Sequence, residues 1–116
     1  MNPLMMKLEA WGCDIKSTMR RVADDELFYI DCLHDIVEDP YFAKLKEAID
    51  RGNVSQAFDA AHTLKGVLSN LGLTPMYNKV VEIVEPLRAG SREDLSDKYE
   101  QLAQMRVYLK KLLAQA

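Results

Sequence analysis

Apolar residues recur every three or four positions along most of this chain, which is the pattern of amphipathic α-helices. The clearest run lies in the middle, and its apolar stripe consists of Val54, Ala57, Phe58, Ala61, Leu64, Leu68 and Leu71. Asn53 precedes this run as an N-cap, and Gly72 follows it as the residue that ends a helix. We find no β-type alternation and no repeat. The pattern therefore predicts an all-α protein built around this central helix.

Four helices are predicted before the central one. The first is predicted from Pro3 to Gly12, the second from Asp14 to Val22, the third from Asp24 to Asp39-Pro40, and the fourth from Pro40 to Gly52. Asp14 and Asp24 are the expected N-caps of the second and third helices. Their apolar positions are Leu4, Leu8 and Trp11, then Ile15, Met19 and Val22, then Leu27, Ile30, Leu33 (or His34) and Val37, and then Phe42, Leu45, Ala48 and Ile49.

Two helices are predicted after the central one. Thr74-Pro75 begins the first as cap and first-turn residue, Pro86 kinks or ends it, and Ser91 caps the second, which runs almost to Ala116. Their apolar positions are Met76, Val80, Ile83, Val84 and Leu87, and then Leu95, Tyr99, Leu102, Met105 or Arg106, Leu109 and Leu113.

The loops at Gly52, Gly72 and Gly90 are short, so successive helices are expected to be antiparallel. The predicted fold is an up-down antiparallel four-helix bundle with short additional N-terminal helices. We expect one domain over residues 1–116, with leader helices in 1–22 and the bundle in 24–115.

Composition narrows the class of protein. The 116 residues are 48% hydrophobic, enough for one modest core, and the net charge of −3 argues against a nucleic-acid-binding face. Cys13 and Cys32 cannot form a disulfide framework or a four-ligand zinc site. The N-terminus lacks the pattern of a signal peptide, and no 18-residue apolar stretch could span a membrane. A cytoplasmic protein with reduced thiols is expected.

Two features outside the central helix have more than one interpretation. Trp11 is expected to pack across one end of the bundle as part of a lid, and the alternative is a partner-binding surface formed with Met5-Met6. His34 lies beside Asp31, Asp35 and Glu38. It is interpreted as a surface histidine in acidic surroundings rather than a metal ligand, because no second histidine or cysteine lies near it.

His62 is the reactive side chain in the most demanding context. It stands about a quarter turn off the apolar stripe, with Phe58 one turn before it and Lys65 and Gly66 one turn further on. A neutral imidazole is a nucleophile near neutral pH, and an ammonium can neutralise phosphoryl oxygens. Mid-helix glycine costs roughly 0.5–1 kcal/mol relative to alanine. We interpret Gly66 as clearance above the imidazole.

Other chemistries lack their motifs. Lys65-Gly66 reverses the order of a P-loop and lies within a helix, and the chain has neither G-x-S-x-G nor H-E-x-x-H. An enzyme that uses His62 as a general base would need a second catalytic group, which the sequence does not reveal.

The segment Ala61-His62-Thr63-Leu64-Lys65-Gly66, followed by Asn70-Leu71-Gly72, resembles the signature of histidine-containing phosphotransfer (HPt) domains of bacterial phosphorelays. The similarity runs from about Asp24 through Gly90, and Trp11 to Arg21 looks like the leader of small stand-alone members. The chain begins with Met1 and includes this leader, which favours a stand-alone protein over a piece of a larger kinase.

The resemblance implies specific roles. His62 would accept a phosphoryl group, on Nε2 as in the family, from a receiver aspartate or a histidine kinase. Lys65 would stabilise the phosphoryl oxygens, and Gly66 would admit the partner. The expected partners are response-regulator receiver domains, a hybrid histidine kinase, or both. The chain would be a monomeric carrier without ATP, metal or cofactor of its own, since Mg²⁺ would come from the receiver.

The sequence departs from the family pattern at two places. Val67 stands where many members have serine, and we attribute this to packing. The next helix offers Asn78, Glu82 and Glu85, with Val84 near the spacing at which several members place a glutamine beside the histidine. The partner of the imidazole is left unassigned, with Asp59 as one candidate. The alternative function is a helical adaptor that binds a receiver or another signalling protein without being phosphorylated.

Overall fold

Four polar side chains fix where helices begin, because each accepts a hydrogen bond from a backbone amide that has no partner in the first turn. The pairs are Asn2 with Leu4 (2.7 Å), Asp14 with Ser17 (3.2 Å), Asp25 with Phe28 (3.0 Å) and Asn53 with Gln56 (3.0 Å). The predicted caps Asp14 and Asn53 are therefore confirmed.

The computed structural model describes residues 2–115, so the two ends of the expected 1–116 domain, Met1 and Ala116, lie outside the described residues. Within 2–115 the chain forms seven α-helices and no strand. These are α1 (Pro3–Trp11), α2 (Ile15–Arg21), α3 (Glu26–Val37), α4 (Tyr41–Asp50), α5 (Val54–Asn70), α6 (Thr74–Arg88) and α7 (Ser96–Ala114). The prediction of an all-α fold is confirmed. No helix of residues 2–115 is long and apolar enough to cross a membrane.

The helices form a four-sided bundle in which α3 and α4 together make one side. Helix α4 packs on α5, α5 on α6 and α6 on α7, while α7 closes the ring against both α3 and α4. The break between α3 and α4 is held by α7, because Arg106 Nε donates a 2.6 Å hydrogen bond to the Val37 carbonyl. That carbonyl would otherwise bond to the Tyr41 amide, which donates instead to the Asp39 side chain (2.8 Å).

Three predicted caps are wrong. Asp24 has a φ of +58° and continues the turn that ends α2, where its amide donates to the Met19 carbonyl (2.8 Å), so Asp25 caps α3 instead. Thr74 is already the first residue of α6, and its N-cap is Leu73. Helix α7 begins at Ser96 rather than after Ser91, and it is the Asp94 side chain that accepts from the Ser96 amide (2.9 Å).

The hydroxyl of Ser91 is used locally, which explains why it caps no helix. Ser91 Oγ accepts from the Glu93 amide (3.2 Å), closing a short turn within the connection between α6 and α7. Pro86 ends α6 as predicted, because the helix stops two residues later at Arg88.

The helical stripes predicted from the sequence form one core that runs through the bundle, with one error in α3. Leu27 is 77% exposed. Tyr29, two residues later, is fully buried and donates its hydroxyl to the Leu71 carbonyl, which leaves Leu27 on the opposite side of the helix. Leu33 is fully buried and His34 is exposed, which settles the alternative left open for α3.

Trp11 is half-buried and packs edge-on against Tyr108 of α7, with ring centroids 4.9 Å apart. Of the adjoining methionines, Met5 is buried and Met6 is exposed. The N-terminal helices therefore cover one end of the bundle, as the lid interpretation expects.

The turn between α5 and α6 is the point at which the N-terminal helices are attached. The Asp14 amide donates to the Gly72 carbonyl (2.9 Å), and Gly72 has a φ of +67°. A Cβ atom at Gly72 would fall on the Thr18 hydroxyl and lie 2.5 Å from the Asp14 carbonyl oxygen. Only glycine fits this position, since both the backbone conformation and the space exclude a side chain.

Gly72→Ala is expected to lower the free energy of unfolding by about 3 kcal/mol or more, because it adds a collision to the strain of a left-handed alanine. Gly52 provides the matched control. Its φ of +68° is nearly equal to that of Gly72, but nothing lies within 4 Å of a Cβ atom added there. Gly52→Ala should cost only about 1–2 kcal/mol. Urea unfolding of both variants checks this, and equal losses would contradict it.

Cys13 lies buried where α1 meets α2. Burial raises the pKa of its thiol from 9.0 to about 12, although a backbone hydrogen bond at Thr74 offsets part of this effect. Between those pH values the unfolded chain loses the thiol proton and the folded chain keeps it, so rising pH favours unfolding.

We therefore expect the free energy of unfolding to fall between pH 9 and pH 12, and to fall less steeply in Cys13→Ala. Urea titrations at a series of pH values measure both slopes. Burial also raises the pKa of Tyr29 in both proteins, and the Cys13 thiol adds to that shift. Removing Cys13 takes away this addition, which flattens the slope in the same direction. Identical slopes in the two proteins would refute the assignment to Cys13.

Candidate functional site

Helix α5 lies between two neighbours and therefore has one buried face and one exposed face. It packs on α4 along one flank and on α6 along the other. The buried positions are Ala57, Ala60, Ala61, Leu64 and Leu68. Three of these five are alanine, whose small side chain allows close approach of the neighbouring helices and favours the helical conformation. The opposite face is left open to solvent.

His62 stands on that open face. Its side chain is exposed, whereas the adjacent Ala61 is completely buried, as the helical periodicity predicts. Lys65 lies one turn further along and is half-buried. None of the ion pairs formed within residues 2–115 includes Lys65, so its ammonium is available to an incoming anion.

Gly66 completes the surface beside the imidazole. It is exposed, and no side chain lies within 4 Å of the point where its Cβ would stand. The fold therefore gives no steric reason for glycine at this position. The space above Gly66 is open to another molecule.

The imidazole is in contact with an aromatic ring one turn earlier. The Phe58 and His62 rings are stacked, with centroids 5.5 Å apart and planes inclined by 25°. The Arg88 guanidinium of α6 lies 5.3 Å from the centre of the Phe58 ring. Imidazole, phenyl ring and guanidinium thus form a connected series across α5 and α6.

Comparison with models of known protein families identifies the family of this chain. The model of the Hpt domain family matches residues 33–115, which include the last five residues of α3 and all of α4 to α7. The chain belongs to the Hpt domain family. Comparisons with curated proteins and with solved structures gave no match. Hpt domains take part in histidine phosphotransfer within phosphorelays, and they interact with receiver domains and histidine kinases.

The match differs in extent from the resemblance noted in the sequence. It begins inside α3 rather than near Asp24, and it continues through α7 rather than stopping near Gly90.

In this Hpt domain the Asn70-Leu71-Gly72 segment accepts hydrogen bonds from residues of α2 and α3. Arg21 donates to the Asn70 carbonyl (2.9 Å) and the Tyr29 hydroxyl to the Leu71 carbonyl (2.7 Å). Both bonds satisfy carbonyls at the end of α5.

Within residues 2–115, none of the candidates for a hydrogen-bonding partner of His62 is bonded to it, and Asn78 is exposed on α6. Asp59 lines a shallow groove between α4 and α5, together with Tyr41 and Lys44. Val84 is completely buried, Glu82 pairs with Lys79 (3.0 Å), and Glu85 pairs with Arg88 (3.6 Å). No hydrogen bond between residues 2–115 involves the His62 side chain.

Two further positions of the Hpt domain can now be placed. Val67 is half-buried and packs against the core, in agreement with the packing role expected for it. His34 is exposed on α3, among the acidic side chains predicted from the sequence. Across residues 2–115, no three His, Cys, Asp or Glu side chains are grouped so that they could hold a metal ion.

The spacing of four residues between Phe58 and His62 predicts that their side chains are neighbours, and the stacked rings confirm this contact. Arg88 is the member of this group that the sequence did not predict. Nothing in the sequence could connect Arg88 to the site, because that contact depends on how α6 lies against α5.

Gly66→Ala is expected to raise the free energy of unfolding by about 0.5–1 kcal/mol, because alanine favours the helix and has open space at this position. Urea unfolding measures this change, and a loss of stability would contradict it.

Gly66→Gln places a longer side chain in the same space. This variant should be as stable to urea as Gly66→Ala. If a receiver approaches the imidazole over Gly66, the longer side chain should make phosphoryl exchange with that receiver slower than in Gly66→Ala.

Proposed function

We propose that this Hpt domain is a phosphocarrier in which His62 accepts a phosphoryl group from a receiver aspartate or a histidine kinase and passes it to another receiver. One observation carries the proposal. The exposed imidazole stands beside the Lys65 ammonium, which pairs with no carboxylate among residues 2–115, and beside open space at Gly66. All three residues lie within the matched region 33–115.

The transfer requires little from this chain beyond a nucleophile and a positive charge. The Nε2 lone pair attacks phosphorus, the N–P bond forms, and the P–O bond to the donor aspartate breaks with its electron pair returning to the carboxylate. Nδ1 keeps its proton throughout. The Lys65 ammonium neutralises part of the charge on the phosphoryl oxygens, and Mg²⁺ and further acidic groups are assigned to the receiver.

His34 also lies within the matched region, and electrostatics favour His62 over it. Asp31, Asp35 and Glu38 surround His34 along α3, and of these three only Glu38 is paired within residues 2–115, with Lys110 (3.1 Å). A phosphoryl dianion placed there would be repelled by like charges, whereas at His62 it would meet the Lys65 ammonium.

The surroundings of His62 favour a protein partner over a small substrate. A cavity of about 420 Å³ lies at the end of α4, where residues 48–54 and 91–95 line it, and it does not include His62. An exposed imidazole on a helix face is reached by a second protein surface. A general-base enzyme would need an enclosed pocket instead.

His62→Gln is expected to abolish transfer of label from a phosphorylated receiver, and His34→Gln is expected to leave it unchanged. The wild-type label should be acid-labile and base-stable, as a phosphoramidate is. Incubation with labelled receiver followed by gel separation measures all three proteins. The His34 variant controls for any general effect of removing a histidine.

Label that persists in His62→Gln would refute the proposal. If wild type and His62→Gln bind the receiver equally and neither takes up label, the adaptor function is the correct one. Profiling against all the receiver domains of the source organism would identify the partners.

A further inference from the structure

The ring of Phe58 is the one aromatic ring of residues 2–115 that stacks on the His62 imidazole. The centroid separation of 5.5 Å and the inclination of 25° are those of an offset stack. Because no hydrogen bond within residues 2–115 reaches either ring nitrogen, this stack is the contact that restricts the orientation of the imidazole.

Orientation of the ring plane matters for an imidazole nucleophile. The Nε2 lone pair lies in the plane of the ring, so an in-line attack on phosphorus requires that plane to point at the donor. The terminal torsion of histidine is broad and roughly two-fold, so a ring without neighbours would sweep the lone pair through many directions. A stacked ring keeps it in one plane.

Phe58 is itself held on two sides. It is half-buried and packs against the core, and the Arg88 guanidinium lies 5.3 Å from its ring centre. A cation over an aromatic face is an attractive contact, and here it joins α6 to α5. Arg88 is in turn paired with Glu85 at 3.6 Å. The phenyl ring is thus a fixed support for the imidazole.

We propose that Phe58 is a positioning residue that holds the His62 ring in the plane required for phosphoryl transfer, with Arg88 holding Phe58 in place from α6. The proposal rests on the proposed function of His62. Phe58 contacts neither the phosphoryl group nor the partner in this account. Its effect passes through the imidazole alone.

The test compares Phe58→Leu, which keeps apolar volume and loses the ring, with Phe58→Tyr, which keeps the ring. Single-turnover transfer from a phosphorylated receiver is measured across receiver concentrations. In Phe58→Leu the saturating rate should fall about tenfold to a hundredfold, while the half-saturating receiver concentration changes by less than about twofold. Phe58→Tyr should retain the wild-type rate.

Two further measurements separate positioning from a structural effect. Phosphoramidate, a small donor that can approach from many directions, should label both variants within about twofold of wild type. In NMR spectra, the His62 ring protons should lose their ring-current shift in Phe58→Leu and keep it in Phe58→Tyr. Phe28→Leu is the matched control, because Phe28 is an exposed phenylalanine on α3. It should resemble wild type in every assay.

The proposal is overturned if Phe58→Leu transfers at the wild-type saturating rate, if phosphoramidate labelling falls as far as receiver transfer, or if the His62 ring signals do not move. Failure of the proposed function has a different signature. In that case wild type would take no label from any receiver, and the NMR comparison would still decide whether Phe58 orients the imidazole.

Discussion

The close packing of α5 between α4 and α6 is the constraint on which the candidate site depends. Alanine at positions 57, 60 and 61 lets the neighbouring helices approach, and Leu64 and Leu68 fill the core below. This leaves one exposed face, and on it stand His62 and Gly66 with Lys65 at the edge. The imidazole that we propose as phosphoryl acceptor is therefore carried by a helix rather than a loop, which suits a transfer that relies on positioning.

The N-terminal helices stabilise the same helix from its far end. Thr18, the buried polar residue of α2, donates to the Asp14 carbonyl (2.6 Å) and accepts from Arg21 (3.1 Å). Arg21 then reaches the carbonyl of Asn70, and Tyr29 that of Leu71. Because these bonds satisfy carbonyls at the end of α5 without occupying its exposed face, α2 and α3 restrain the helix and leave the site open.

Local signals predicted most of the helices, and competing local bonds account for the wrong caps. Asn53 and Asp14 were predictable because capping needs only neighbouring residues. Ser91 was assigned wrongly because serine closes short turns as readily as it caps helices, and here its hydroxyl accepts from the Glu93 amide. Contacts between distant residues are what the sequence could not predict. The union of α3 and α4 into one side of the bundle depends on Arg106, 69 residues after Val37. For the same reason His62 and Gly66 could be placed on one face from periodicity, whereas Arg88 could not.

Two glycines of this region show how folding and function can be separated by geometry. Gly72 has a left-handed backbone and no room for a side chain, so the fold alone accounts for it. Gly66 has helical backbone and open space around it, so the fold gives no reason for a residue that weakens the helix by about 0.5–1 kcal/mol. A residue that costs stability and contacts nothing is best explained by something outside the chain. Since that open space adjoins the imidazole, the partner proposed to reach His62 supplies the reason that the isolated fold does not.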